Sequence, residues 1–144
     1  SSKQAYMDAL HISESNIINQ TFHNPLGKMN GQDICIISLK EVSGNGLCCY
    51  RQVNDSDVLV LLEEQDYNEI LDETLQRIRR DFNHISGVFS INCVFRYLLF
   101  SQEHHMEDYL KTMSTLGDHA GLIGFGEHYN QQFVNQTMTC VVFE

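Results

Sequence analysis

Apolar and polar positions change period several times along this chain, and each change marks an element. Residues 3–10 place Ala5, Tyr6, Ala9 and Leu10 on one helical face, the spacing of a short helix that needs packing to hold. A second helical turn is expected over 13–19, with Ser13 as its cap. His23-Asn24-Pro25-Leu26-Gly27 then punctuates the chain, because the residue before a proline is pushed to extended geometry and the glycine after it favours a turn. Three strands follow in expectation, at 33–39, 46–53 and 58–62. Ser43-Gly44-Asn45-Gly46 separates the first two as a hairpin signal, and Asn54-Asp55-Ser56-Asp57 separates the last two. Residues 63–82 read as a long helix whose stripe is Tyr67, Ile70, Leu71, Leu75, Ile78 and Phe82. Glu63, Glu64, Asp66 and Glu69 fall in its first turns and Arg77, Arg79 and Arg80 in its last, matching the helix dipole.

In the second half, Val88, Phe89 and Ile91 read as a buried strand, after which Cys93, Tyr97 and Phe100 recur at helical spacing, so that a helix begins near Asn92. Ser101 is expected to cap a further helix over 102–116 with the stripe Met106, Tyr109, Leu110 and Met113. His104 and His105 fall in its first turn, with Asp108 four residues beyond His104, and Gly117 ends it. Gly121, Gly124 and Gly126 interrupt an apolar run, the mark of a bulge or of a close approach by a backbone or ligand. Glu127 and His128 follow, then a short polar loop, then a strand at 138–143. The pattern predicts an α+β fold: a mainly antiparallel sheet of about six strands with helices packed on it, in the order α-β-β-β-α-β-α-α-β-β, the two closing strands paired. Residues 1–144 read as one domain, with the two leading serines as a leftover of expression.

Composition narrows the function. A net charge of −10, with nine Lys and Arg in 144 residues, argues against nucleic acid and against an anionic membrane surface. No apolar run approaches the roughly 20 residues of a membrane span. Five cysteines without paired spacing read as reduced thiols of a cytoplasmic protein. Cys48 and Cys49 are neighbours in an expected strand and point to opposite faces, so they do not share a metal. The acidic run at the start of the long helix reads as a solvated helix end, since it lacks calcium-loop spacing.

The catalytic motifs are missing: there is no G-x-S-x-G, Walker loop, H-E-x-x-H or C-x-x-C. A Cys93 and His128 nucleophile pair has nothing to orient its base. The chemistry that remains is recognition. A strand running straight into a helix leaves N–H groups open at the junction, and Arg96 sits in that first turn among apolar neighbours. If the strand ends at Asn92-Cys93 and Asn135-Gln136-Thr137 are neighbours, Arg96, Glu127 and the amides of Asn135 and Gln136 surround one site. Arginine would hold a carboxylate and Glu127 an ammonium, a complement for an amino acid, with Phe95, Phe125 and Tyr129 as walls. A structural pair between Arg96 and Glu127 is the other reading. For His23, a turn residue bonding locally is preferred to a ligand role.

The run G-L-I-G-F-G-E at 121–127 and N-Q-T-M-T-C-V-V-F at 135–143 resemble the closing signature of FIST C domains. The step at 23–27 is similar to the family's H-P-L-G-like step. Asn92, Cys93 and Arg96 match its polar residue, cysteine and arginine at a strand end, although Val94-Phe95 stands where the family often has a glycine-rich turn. The resemblance implies a non-catalytic sensory domain of a bacterial signal-transduction protein, without cofactor, binding a small polar ligand at Asn92, Cys93, Arg96, Glu127, Asn135, Gln136 and Thr137. It implies as partners an N-terminal FIST half and an output module: a chemotaxis receptor, a kinase or a cyclic-dinucleotide domain. It also implies two alternatives, a protein-docking module and a haem-binding nitric-oxide sensor with His128, His119 or His23 as axial ligand.

Overall fold

The structure is a computed structural model that describes residues 1–31, 33–130 and 132–144. Gln131, in the polar loop expected after His128, lies outside the described residues. Two compact units, Ser1–Glu64 and Gln65–Glu144, divide the chain.

In the first unit, α1 (Ser2–Leu10) is followed by a 3-10 turn (Glu14–Asn16) and α2 (Ile17–Gln20). Ser1, expected to be a passive leftover, accepts from the Gln4 N–H at the start of α1. Ser13 makes no capping bond and meets the Ser15 hydroxyl instead. Five strands follow: β1 (Leu26–Asn30), β2 (Asp33–Ile37), β3 (Leu39–Ser43), β4 (Gly46–Cys49) and β5 (Leu59–Leu61). β1 lies between β2 and β5, antiparallel to both, while β3 and β4 form a separate hairpin whose turn falls at the expected Gly44-Asn45. The strand expected over 33–39 is thus two strands in two sheets, parted at Ser38. β1 escaped the pattern because Leu26-Gly27-Lys28-Met29-Asn30 neither alternates nor carries a β-branched residue. Tyr6, Ile17 and Leu39 form a buried cluster, with Met7, Leu10, Leu26 and Leu47 against it.

The second unit opens with α3 (Tyr67–Asp81), which starts four residues later than expected. Asp66 explains the offset: its carboxylate accepts from the N–H groups of Asn68 and Glu69, capping the helix there and leaving Glu63 and Glu64 ahead of it. β6 (Gly87–Cys93) passes without a linking residue into α4 (Val94–Gln102). Ser101 does not cap a new helix; it sits inside α4 and donates to the Tyr97 carbonyl. The chain turns at His104, where φ is +56°, before α5 (Met106–Met113) begins. Asp108 accordingly lies near Lys111, at 3.8 Å, rather than pairing with His104. β7 (Asp118–Gly124), the hairpin of β8 (Glu127–Tyr129) and β9 (Gln132–Val134), and β10 (Met138–Phe143) complete the unit.

The closing strands share a sheet but do not pair. β6 lies between them, antiparallel to β10 and parallel to β7, in the order β10-β6-β7. The parallel pair is possible because α4 and α5 supply the long crossover that parallel neighbours require. Among the described residues the fold is therefore α+β, with five helices and ten strands in several mostly antiparallel sheets rather than one. No described helix is long and apolar enough to cross a membrane.

Candidate functional site

The C-terminal end of β6 brings the expected site residues together. Its register places Cys93 opposite Gly124 of β7 and Asn92 opposite Met138 of β10. The Cys93 N–H donates to the Thr137 carbonyl at 3.0 Å. The strand end at Asn92-Cys93 and the segment 135–137 are therefore neighbours, as the site reading required.

Side chains alternate along a strand, and that alternation splits the expected site into two groups. Val88, Ser90 and Asn92 are buried on the face that meets α5, where Ser90 and Asn92 reach the Tyr109 hydroxyl. Arg96, one helical turn on, joins this group: its Nε donates to Asn92 Oδ1 at 3.1 Å, and its guanidinium lies over the Phe100 ring. Cys93 falls with the other group. Its thiol accepts from the N–H groups of Phe95 and Gln136 and lies beside Glu127. Burial pushes the Cys93 thiol up, and the nearby Glu127 charge adds to the rise, the opposite of what an activated nucleophile needs. Gln136 holds its turn with φ at +54°.

Glu127, the first residue of β8, is 2% exposed. Neither carboxyl oxygen has a hydrogen-bond partner, so it does not form the structural pair with Arg96. Thr137 Oγ1, also buried, lacks a partner as well. Gly124 makes room for the carboxyl, since a Cβ there would stand 3.1 Å from Oε1. Burial pushes the Glu127 carboxyl above its ordinary value of 4.5. The Cys93 thiol and the residue's own N–H offset part of the rise, but neither meets it with the geometry of a hydrogen bond.

A stability test follows from the sign of that shift. Between 4.5 and the raised folded value, the native state holds this proton more tightly than the unfolded chain does, so the Glu127 contribution falls as pH climbs through that window. Glu127→Gln keeps the shape and removes the charge. It should stabilise the fold by about 1–2 kcal/mol at pH 8, with the two proteins converging toward pH 4, in urea unfolding across that range. A variant less stable than the wild type at pH 8 would show that the carboxylate is satisfied after all.

Of the other expected residues, Asn135 and Gln136 are half-buried beside the rim. Phe95 contributes its N–H to Cys93, but Phe125 is 90% exposed and Tyr129 also faces solvent, so neither walls the site. Two of the three histidines named for haem have a hydrogen-bond partner. His119 Nε2 is engaged by Ser90 Oγ at 2.8 Å, with burial lowering its pKa, while His23 Nδ1 meets Glu64 at 2.6 Å. His128 is exposed against Phe133. Of the three, His119 has its Nε2 committed to a buried hydroxyl network.

Tyr109, Ser90 and Met138 entered the site without having been expected there. Their sequence signal was weak but present: Ser90 and Asn92 alternate within an apolar strand, and buried polar side chains need partners, which a tyrosine in a helical stripe can supply.

Comparison with curated proteins returned no match, and comparison with solved structures returned none. The family model of the FIST C domain matches residues 3–130. The match takes in β6, α4, the glycine-marked β7 and Glu127, and stops before the 135–143 run. Since the match covers most of the chain and crosses from the first unit into the second, the chain belongs to the FIST C domain family, a family of sensory domains of signal-transduction proteins.

Proposed function

We propose that this domain binds a small polar metabolite, an amino acid in the favoured case, as the sensory part of a bacterial signal-transduction protein. The observation that carries the reading is Glu127, a carboxyl buried without a hydrogen-bond partner at the meeting point of β6, β7 and the segment before β10. Such a group costs stability, and an ammonium group is the partner that would repair the loss. Arg96 supplies the charge for a carboxylate, so a zwitterion would bridge the two groups across the end of β6. On this reading Cys93, Asn135, Gln136 and Thr137 complete the ligand's surroundings. The reading is non-catalytic, in keeping with a Cys93 thiol held up by burial. Its partners are an N-terminal FIST half and a chemotaxis, kinase or cyclic-dinucleotide output module in the cytoplasm. The net charge of −10 weighs against nucleic acid and membrane lipid.

A thermal-shift screen of amino acids and small metabolites tests it, since a ligand at 100 times its dissociation constant adds about 2.7 kcal/mol of stability. Calorimetric titration of the best hit should then show binding lost in Arg96→Ala and in Glu127→Gln. Undiminished affinity in both variants overturns the site, and a screen without hits, repeated with the N-terminal half restored, overturns the ligand class.

A further inference from the structure

Arg96 stands at the end of a run of hydrogen bonds that begins on another helix. Because its Nε–H needs an acceptor, the 3.1 Å contact with Asn92 decides how that amide faces: oxygen toward the guanidinium, nitrogen toward α5. Asn92 Nδ2 donates to Tyr109 Oη at 2.7 Å. The phenol oxygen accepts there, and its single proton has two takers, Ser90 Oγ at 3.2 Å and Met138 Sδ at 3.2 Å. The chain cannot reverse at the arginine end, because a guanidinium carries donors only. Tyr109 also touches Arg96 directly, its ring centroid 5.7 Å from the guanidinium carbon.

We infer that Asn92 and Tyr109 are positioning residues for Arg96, and that Tyr109 acts by holding the Asn92 amide in the one orientation Arg96 can use. Asn92 is buried with both ends of its amide engaged, which suits a support better than the ligand contact expected of it. The inference rests on the functional reading above only for what Arg96 does; its orientation is a separate question.

Side-chain NMR of the arginine Nε–H groups in the whole chain, with no ligand added, decides it. Wild-type Arg96 should give a protected resonance. Tyr109→Phe keeps the ring but frees the amide to turn, so that resonance should shift and its solvent exchange rise by about tenfold or more. Adding Asn92→Asp, whose two oxygens both accept, should restore protection, a rescue that loss of packing alone would not show. Should Tyr109→Phe fail to fold, single variants decide instead, with Asn92→Leu releasing Arg96 and Asn92→Asp holding it. An Arg96 signal unchanged in Tyr109→Phe and Asn92→Leu overturns the inference, as does release that aspartate does not rescue. Either result leaves the ligand reading standing, and an empty ligand screen leaves this one standing.

Discussion

Phe100→Ala is expected to cost the unit Gln65–Glu144 about 3–5 kcal/mol, the range for emptying an aromatic site in a core. Phe100 is 1% exposed. Its ring packs within 4.9 Å of Tyr67, 4.9 Å of His105 and 5.6 Å of Tyr109, between centroids, and forms the surface on which Arg96 lies at 4.6 Å. No small shift of the neighbours fills such a hole. Phe100→Leu separates volume from the ring's electrostatics: it should cost about 1–2 kcal/mol and still loosen Arg96, because the aliphatic side chain lacks the negative ring face that attracts a guanidinium. Equilibrium urea unfolding measures both. A loss below about 2 kcal/mol for the alanine variant would mean that the site collapses around the gap and that Phe100 is not its keystone.

Gly121→Val should destabilise the same unit by about 3 kcal/mol, on the order of 10 °C in the unfolding midpoint. β7 runs parallel to β6 with Gly121 opposite Ser90, and a Cβ at 121 would stand 2.5 Å from Ser90 Oγ and 2.7 Å from the Ser90 carbonyl oxygen. The hydroxyl could swing aside only by leaving Tyr109 or His119, and the carbonyl is fixed in the backbone of β6. The strands must part or the buried network must break. Scanning calorimetry of the valine variant beside the wild type checks it, and a midpoint within about 2 °C of the wild type would show that β7 is free to slide.

Much of this was legible in the pattern of residues. Glycines at 121 and 124 announced close approaches, and a strand that became a helix near Asn92 announced the polar rim; both stand in the structure. Other features depend on contacts that a linear pattern does not carry. β1 pairs on both sides although its own residues give no alternation, because β2 and β5 supply its backbone hydrogen-bond partners. The break between α4 and α5 lies at a histidine with positive φ, which no periodicity marks. The division of the site follows from the strand itself: the alternation that separates Cys48 from Cys49 separates Asn92 from Cys93 equally. Tyr109 was hidden by its own spacing, since a helical stripe reports the ring and is silent about the hydroxyl.

The direct passage from β6 into α4 has a mechanical consequence. Cys93 ends the strand and Val94 begins the helix, with the backbone there pinned to Thr137. A joint without a loop has no slack in which to lose a displacement. The direction in which α4 leaves the sheet is therefore set by the last peptide of β6, and a shift of the strand end at Cys93 would be passed to the helix rather than absorbed between them. A flexible linker at the same place would let strand and helix move independently.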